Sequence, residues 1–373
     1  MPANVVLLID SLHCGGAQRQ LCYLAKELSR LGHSVSVCNY HPQYDFFRPY
    51  LAENGIKVID LSERPKFTLP LRLSRVTREL RADWVVSFSS SANKVMVLAR
   101  ILGGNFKACC GERSCSAGPR LSFRETVQRL HYFWSTLIVA NSNYQLQILK
   151  RSFPIRSKRV VCIRNCVDDK FFLVGANRFA TQRHAPEVSF VAVGQLYPLK
   201  NLHGLVQAVI KLKQQGSPGF KIKWAGREGE NASSYFSEQK RIIEENGLAD
   251  VFDFIGQCDD VPSFLRDGSA LIHPSLIEGF PNAICEAFAT GLPVLAGDIS
   301  DAPDLVNEER GYLFDPKDSD SICLAMSRFL RLSATEKQNM GREARKFAKE
   351  HFSAQDFGRT FSNVLGIDSV SQS

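Results

Sequence analysis

The sequence predicts an α/β protein made of two doubly wound domains, each with a parallel sheet covered by helices. Its 373 residues are too many for one hydrophobic core, and 44% hydrophobic with 23% charged residues is the composition of an ordinary globular chain. Short β-branched runs alternate with amphipathic helical segments along the whole length. This alternation is typical of parallel sheets wound with helices.

The first domain is predicted to span residues 1–175 and to hold one open sheet of seven strands. Its strands are the runs NVVLLI, SVSVCNY, IKVIDL, DWVVSF, KACCGE, TLIVAN and RVVCIRN. The stretch LVGANRFATQRHAPE, residues 173–187, is polar, contains Gly and Pro, and interrupts the alternation. It is therefore the predicted linker.

The second domain is predicted over residues 186–350, with strands at VSFVAVG, FKIKWAG, VFDFIG, SALIHPS, LPVLAGD and GYLFD. Residues 351–373 are expected to form a C-terminal helix and tail that packs back towards the first domain. Sheets of this kind bind ligands at the carboxyl ends of their strands. We therefore look for the chemistry in a cleft between the two domains.

Charge is unevenly distributed between the two halves. Residues 1–175 contain 25 Lys and Arg and 12 Asp and Glu, a net charge of +13, whereas the remainder carries −5 of the total of +8. A basic first half indicates an anionic partner such as a membrane surface, a lipid phosphate or nucleic acid. Nucleic acid is disfavoured, because no aromatic-basic single-strand motif stands out and the second half is acidic.

Cysteine usage and hydropathy predict the compartment. The eleven cysteines are scattered without a C-x-x-C pair, which predicts reduced core thiols rather than disulfides or a metal site. No run reaches the roughly 18 apolar residues of a spanning helix. We therefore expect a cytoplasmic protein.

The stretch IEGFPNAICEAFATGLPVLAG holds two carboxylates near the start of a predicted helix. Gly279 frees the loop before this helix, and Pro281 suits its first turn. Glu278 is then expected in the loop at the mouth of the cleft, with Glu286 about one turn into the helix. Carboxylates accept hydrogen bonds from sugar hydroxyls, and a helix N-terminus favours a phosphate. The pattern predicts a site for an extended, hydroxyl-rich ligand.

Two loops between strand and helix supply candidate phosphate contacts. Gly15 and Gly16 follow the first strand and open a helix, although such a pair fits a plain tight turn equally well. Lys200, in VGQLYPLKN, occupies the matching loop of the second domain, where a solvated surface lysine is the alternative. His273 is interpreted as a core residue of its strand, and Ser275 as a weak candidate for a ligand contact.

These segments together resemble the retaining glycosyltransferases of family 4, which have the GT-B fold of two Rossmann-like domains facing a central cleft. The second domain is similar through VGQLYPLKN, WAG, the long stretch from FIGQ to DAPDLV, and GYLFDP. The first is similar through GGAQRQLCYLAKELSRLGHSVSV, STLIVANSNYQ and VVCIRNCVDDKFF. The likeness extends over most of the chain, and Glu-x7-Glu is its most specific part.

The resemblance implies a role for each matching position. Glu286 would hold the ribose hydroxyls of a nucleotide sugar, Glu278 would face the donor sugar, and Lys200 would neutralise the diphosphate. The full set of implied donor contacts is Gly15, Gly16, Gln195, Lys200, Arg227, Gly256, Gln257, Glu278, Gly279, Phe280, Pro281, Asn282 and Glu286. The nucleotide sugar, most commonly a UDP sugar, is a substrate, and neither a cofactor nor a metal ion is implied.

Two positions depart from the family pattern. Gln195 stands where an arginine usually partners the lysine, so either Arg227 or Arg19 replaces that charge, or diphosphate binding is weakened or lost. Glu112 and Arg113 stand where many members carry a histidine that faces the sugar. We expect them to act in catalysis by orienting an acceptor hydroxyl and an acceptor phosphate respectively, with a plain surface ion pair as the alternative.

The resemblance implies retaining transfer of a hexose or N-acetylhexosamine to a lipid-linked saccharide in O-antigen, capsule or exopolysaccharide synthesis. Helices rich in arginine and apolar residues, within 64–82 and 119–134, indicate peripheral contact with the anionic inner face of the cell membrane. The alternatives are an inactive scaffold protein, which Gln195 favours, and a nucleotide-sugar epimerase.

Overall fold

The computed structural model describes residues 2–61, 66–113, 120–152, 159–176, 178, 187–229 and 232–367. The chain divides into two compact units. Unit 1 comprises the chain up to Cys166 together with the segment from Phe352 onwards, and unit 2 is Val167–His351. Most of the predicted linker lies outside the described residues.

Unit 1 contains a parallel sheet in the order β3-β2-β1-β4-β5-β6-β7. The strands predicted from the sequence are confirmed, with bounds β1 Asn4–Ile9, β2 Ser34–Asn39, β3 Lys57–Asp60, β4 Trp84–Ser87, β5 Lys107–Glu112, β6 Leu137–Ala140 and β7 Val160–Cys162. The helices are α1 Gly16–Arg30, α2 Arg48–Glu53, α3 Leu69–Glu79, α4 Ser90–Ile101, α5 Phe123–Gln128, α6 Asn143–Ser152 and, from the C-terminal segment, α15 Ala354–Leu365.

Both faces of this sheet are buried, which explains its apolar strands. Leu7 and Ile9 of β1 point to the face covered by α1 and α15, and Val6 and Leu8 point to the face covered by α3 and α4. Helix α15 packs closely on α1, because a Cβ at Gly358 would lie 2.4 Å from the Cβ of Glu27. The C-terminal segment is therefore part of the hydrophobic core of unit 1.

Unit 2 contains a second parallel sheet in the order β10-β9-β8-β11-β12-β13. Its strands are also those predicted, with bounds β8 Val188–Val193, β9 Phe220–Ala225, β10 Phe252–Gly256, β11 Ala270–His273, β12 Val294–Gly297 and β13 Gly311–Phe314. Its helices are α7 Asp169–Ala176, α8 Leu202–Gln214, α9 Ser233–Glu245, α10 Val261–Arg266, α11 Asn282–Ala289, α12 Ala302–Leu305, α13 Ser319–Arg331 and α14 Ala334–His351.

The boundary between the units follows Cys166 rather than residue 175, because α7 packs within unit 2. Arg345 of α14 holds α7 in place. Its Nη2 donates to the carbonyl of Phe172 at 2.6 Å and its Nη1 to the carbonyl of Ala289 at 2.5 Å. The second bond satisfies a carbonyl at the end of α11, the helix that carries Glu286.

The strand order places the predicted loops of unit 2 side by side. Successive strands run outwards from β8 to β10, and the chain then returns to β11 on the other side of β8. The carboxyl ends of β8 and β11 therefore flank the switch point, where sheets of this class bind ligands. Among the helices of the described ranges, none is long and apolar enough to cross a membrane.

Candidate functional site

Three ionisable side chains meet at the switch point of unit 2. Lys200 ends a short 3-10 turn after β8, and its Nζ donates a hydrogen bond to Oε1 of Glu278. Nε2 of His273, at the end of β11, lies 3.1 Å from the same oxygen. The exposed fractions of the side chains are 17% for Lys200, 14% for Glu278 and 5% for His273. They form a largely buried cluster at the position predicted for the ligand.

The Glu278 carboxylate is ionised in this cluster. Burial raises its pKa, but the interactions with His273 and Lys200 outweigh burial, and the pKa falls to about 2. At neutral pH the residue is therefore a fixed anion. Oε2 accepts no hydrogen bond from the described residues, which leaves this oxygen for a hydroxyl of a ligand.

The loops that carry Lys200 and Glu278 are joined to each other. The amide of Leu276 donates to the carbonyl of Leu199 at 2.9 Å. Asn201 has a left-handed backbone with φ 58°, and its Nδ2 donates to the carbonyls of Pro274 and Pro316 at 3.1 and 2.6 Å. Its Oδ1 also caps α8 by accepting from the amide of Gly204 at 3.1 Å. Asn201 thus positions the lysine beside it.

Sequence reasoning did not assign a role to Asn201, although LKN directly before a predicted helix is a typical N-cap signal. The interpretation of His273 as a core residue is incomplete. The side chain is buried, but Nε2 has no hydrogen-bond partner of good geometry within the described ranges and instead faces the Glu278 carboxylate.

Ser275 supports a ligand at this position. It is 1% exposed, and its Oγ has no hydrogen-bond partner among the described residues. Proteins rarely leave a buried hydroxyl without a partner unless a ligand or water supplies one. The unpartnered hydroxyl therefore supports Ser275, a weak candidate in the sequence, as a ligand contact.

The second carboxylate lies where the sequence predicts it. Helix α11 begins at Asn282 after Pro281 in the N-cap position, and Glu286 lies one turn in with 8% of its surface exposed. Phe280 is buried, and the carbonyl of Gly279 accepts from Oγ of Ser300 at 3.0 Å. The loop before the helix is therefore held by the burial of Phe280 and by the hydrogen bond from Ser300.

Loops after β8, β9 and β10 meet at the same edge of the sheet. The amide of Leu196 donates to the carbonyl of Arg227 at 2.8 Å, so exposed Gln195 and exposed Arg227 lie in adjoining segments. The amide of Gly226 donates to the carbonyl of Gly256 at 2.7 Å. Gly226 must be glycine, because a Cβ there would lie 1.9 Å from the Gly194 carbonyl oxygen.

Gln257, the next predicted contact, is exposed beyond β10, and its Nε2 donates to Oδ1 of Asp259 at 3.0 Å. The neighbouring Ile255 exposes 42% of its surface. An exposed apolar side chain at a strand end that flanks a ligand site offers a face on which a flat base can lie.

In unit 1 the predicted glycine pair opens α1. Gly15 is the N-cap in an extended conformation, and Gly16 is the first helical residue. No acidic side chain occupies the first turn of α1, so its amide dipole is not neutralised there. A Cβ at Gly15 would lie 2.3 Å from Oε1 of Gln18, so a larger residue would not fit there unless the Gln18 side chain moved.

Glu112 does not fit the expected role of orienting an acceptor hydroxyl. It is 4% exposed, and its Oε2 accepts from Nε of Arg129 at 2.7 Å and from the hydroxyl of Tyr132 at 2.8 Å. The carboxylate is committed to these buried donors, so Glu112 stabilises unit 1 instead. It is also not the surface ion pair with Arg113 that the alternative describes.

Arg113 is oriented by different neighbours. Its guanidinium carbon lies 3.7 Å from the centre of the Phe88 ring, and its Nη1 donates to Oδ1 of Asn165. Burial lowers the pKa of Arg113 to about 10, and the residue remains a cation at neutral pH. Within the described ranges, no three His, Cys, Asp or Glu side chains are grouped as a metal site.

Comparison with known proteins identifies the family. Residues 14–171 match the family described as Glycosyltransferase Family 4, and residues 175–347 match the family described as Glycosyl transferases group 1. The chain therefore belongs to the family 4 glycosyltransferases, and it has the GT-B fold that the sequence predicts.

Relatives agree with this assignment. The Escherichia coli K12 protein named "Putative colanic acid biosynthesis glycosyltransferase WcaL" is 25% identical over 56% of this chain, and the match spans about half, 53%, of that protein. The Escherichia coli UDP-Gal:alpha-D-GlcNAc-diphosphoundecaprenol alpha-1,3-galactosyltransferase is 24% identical over 76% of this chain and 74% of that protein.

A solved structure shows the same fold. Anabaena Alr3699/HepE in complex with UDP and glucose superposes with a TM-score of 0.83 at 19% identity, covering 98% of this chain and 99% of that one.

The ionised state of Glu278 predicts a pH dependence of stability. Its pKa is about 2 in the folded protein and 4.5 ordinarily, so the cluster stabilises the native state above about pH 4.5. This contribution, about 3 kcal/mol, is lost as the pH falls towards 2. We expect the free energy of unfolding, measured with urea from pH 5 down to the acid limit, to fall less steeply in Glu278→Gln than in the wild type.

The control for this series is Glu245→Gln, because Glu245 is an exposed carboxylate of α9 whose ion-pair partner in the described part of the chain is Arg241. It should follow the wild-type slope. Equal slopes for the wild type and Glu278→Gln would contradict this prediction, because they would show that the pKa of Glu278 is the same in the folded and the unfolded protein.

Proposed function

We propose that this glycosyltransferase transfers a hexose or N-acetylhexosamine from a nucleotide sugar to a lipid-linked saccharide during the synthesis of a bacterial surface polysaccharide. The donor is a UDP sugar, and its anomeric configuration is retained. The observation that carries the proposal is the buried cluster of Lys200, Glu278 and His273 at the switch point of unit 2.

This cluster suits the departure of a diphosphate. Lys200 has three N–H donors and gives one to Glu278, so the others remain for phosphate oxygens. Negative charge on the diphosphate grows as the glycosidic bond breaks, and a fixed cation aimed at it therefore acts mainly in the transition state. Each charge-assisted contact of this kind is worth roughly 1.5–3 kcal/mol.

The remaining groups suit the sugar and the nucleoside. Oε2 of Glu278 and Oγ of Ser275 face the position of the donor sugar in this proposal, and the Glu286 carboxylate accepts from the ribose. The exposed Ile255 supports the base. The names of the galactosyltransferase relative and of the Anabaena structure both contain UDP, which supports UDP as the nucleotide.

Retention of the anomeric configuration requires the acceptor hydroxyl to attack the face that the diphosphate leaves. If the acceptor hydroxyl attacks from the face that the diphosphate leaves, the new bond takes the place of the old one. The proton of the hydroxyl then passes to the departing phosphate oxygen, which is the nearest base. Glu278 does not serve as a nucleophile in this scheme; Lys200 and His273 hold its Oε1, and its Oε2 accepts from a hydroxyl of the donor sugar.

An inactive scaffold protein is the second candidate, and the observation that favours it is Gln195. A neutral amide brings no charge to the diphosphate, and the side chain is exposed. Arg227 in the adjoining segment offers a replacement cation, which favours the transferase. The two candidates differ in turnover.

Turnover and stereochemistry test the proposal together. We expect one of UDP-glucose, UDP-galactose and the UDP-N-acetylhexosamines to donate to a diphosphoundecaprenol-linked GlcNAc, with an axial donor giving an axial linkage by NMR. Lys200→Met should lower kcat/KM by tenfold to a hundredfold, since it removes one charge-assisted contact.

Lys211→Met is the matched control, because Lys211 lies on α8 of the same unit and pairs with Asp320 at the surface. An equatorial product would contradict retention. Epimerisation of the donor in the absence of an acceptor would identify an epimerase. Nucleotide binding without any turnover would favour the scaffold protein.

Membrane contact at the cytoplasmic face is the second part of the proposal, and a surface of unit 1 supports it. Helix α3 packs on α4, α4 packs on the 3-10 helix Leu130–Trp134, and that helix packs on α5. These elements and the residues next to them expose large apolar side chains, namely Phe67, Leu71, Leu98, Ile101, Leu102, Phe123, Val127, Leu130, Phe133 and Trp134. We call this the apolar–basic surface, because exposed cations lie among them.

The cations follow the apolar residues at helical spacing. Leu71, Arg75 and Arg78 share one exposed face of α3, and Lys94 shares the face of Leu98 on α4. Apolar side chains flanked by Lys and Arg are typical of segments that lie in the interface of an anionic bilayer. The opposing charge of the lipids stabilises such binding by about 1 kcal/mol for each cation near the surface.

Vesicle sedimentation tests this surface. We expect the protein to bind vesicles of phosphatidylglycerol and phosphatidylcholine, and to bind pure phosphatidylcholine much less. The double variant Leu98→Ser with Ile101→Ser should weaken binding about tenfold or more, because it removes two apolar contacts with the bilayer. Leu324→Ser is the control, since Leu324 is 63% exposed on unit 2. Equal loss in the control, or no loss in the double variant, would contradict membrane docking through this surface.

A further inference from the structure

Three residues with unpartnered polar atoms follow two neighbouring strands of the unit-1 sheet. Arg113 directly follows β5 and Asn141 directly follows β6, and the register pairs Glu112 with Ala140. The two residues therefore leave neighbouring strands at the same level. Gln145 lies in the first turn of α6, the helix that follows β6.

The guanidinium of Arg113 has one edge without a partner. Nη1 is taken by Asn165 and one face of the group covers Phe88. Nε and Nη2 are buried and have no hydrogen-bond partner among the described residues. These two nitrogens form the edge that binds an oxyanion through two parallel hydrogen bonds. The residue as a whole is partly exposed, although these two nitrogens are buried.

Gln145 and Asn141 add both donors and acceptors. Gln145 is 0% exposed, and neither its Nε2 nor its Oε1 has a partner within the described ranges. Oδ1 of Asn141, which is 3% exposed, is also unpartnered. A buried amide with neither hydrogen bond made is costly, so a structural role does not explain it.

Among the described residues, no carboxylate forms an ion pair with Arg113. Glu112 is the adjacent acidic residue, and it is held by Arg129 and Tyr132. The site therefore offers a cationic fork, one amide donor and two carbonyl-type acceptors. Its complement carries an oxyanion, which takes the donors, and hydroxyl groups, which satisfy the acceptors.

We propose that Arg113, Gln145 and Asn141 bind a glycosyl phosphate, with the phosphate on Arg113 and the sugar hydroxyls on the two amide oxygens. The inference rests on the proposed function and deepens it, because the phosphate is then the one that links the acceptor saccharide to its lipid. Arg113 is a binding residue in this account, and Glu112 holds the strand end beside it.

Calorimetric titration of the whole protein with the 1-phosphates of glucose, galactose and N-acetylglucosamine tests the site. We expect at least one to bind, and Arg113→Lys to weaken binding by tenfold to a hundredfold because the fork is lost while the charge stays. The methyl glycoside of the same sugar, which lacks the phosphate, should not bind, and glucuronate should bind much more weakly.

Three further variants separate this site from others. Arg359→Gln removes an exposed arginine of unit 1 that pairs with Asp356, and it should bind normally. Lys200→Met should also bind normally, because it alters the donor site. Gln145→Leu should weaken binding yet unfold at the same or a higher urea concentration, since it removes an unpartnered buried amide.

Binding that survives Arg113→Lys, or that is lost in Lys200→Met instead, would overturn the inference, as would no binding of any sugar phosphate or stronger binding of glucuronate. These outcomes are independent of turnover. A protein that binds a sugar phosphate through Arg113 but transfers no sugar would disprove the proposed function and leave this site in place.

Discussion

The buried pair of Lys200 and Glu278 is the interaction on which the rest of unit 2 depends. Two charges in a largely buried position are tolerated only with good geometry, and losing one partner of such a pair costs roughly 3–5 kcal/mol. The bond between Leu276 and Leu199 and the bonds made by Asn201 hold the loops in register for it. The lysine is therefore fixed in place before a ligand arrives, so little ordering is needed on binding.

Lys200 in unit 2 and Arg113 in unit 1 have different kinds of partner. In unit 2 the cation is already neutralised by a carboxylate, and the free capacity is one carboxylate oxygen and the remaining lysine donors. In unit 1 the partners of the Arg113 cation among the described residues are a neutral amide and an aromatic ring, while Glu112 is bound elsewhere. This arrangement favours a pre-formed donor site in unit 2. In unit 1 it favours the binding of an anionic group beside Arg113.

Much of the fold could be predicted from the sequence, because strands buried on both faces are apolar throughout and each lies between helical segments. The placement of Glu278 in a loop and of Glu286 in the helix that follows could also be predicted, because it depends on one loop and one helix. What could not be predicted depends on contacts between distant residues. The partners of Glu112 lie 17 and 20 residues further along the chain, and those of Asn201 lie 73 and 115 residues away. No local pattern indicates that His273 faces Glu278, or that α7 belongs to unit 2.

The most direct measurement is calorimetric titration of UDP, GDP and ADP, without divalent metal, into the wild type and Glu286→Ala. We expect UDP to bind and the other two nucleotides not to bind, and we expect Glu286→Ala to weaken UDP binding by at least about tenfold, because a buried carboxylate that accepts from the ribose is lost. Glu244→Ala, on the exposed face of α9, should bind like the wild type. No binding of any nucleotide, or binding that is indifferent to Glu286, would contradict the assignment of unit 2 as the donor site.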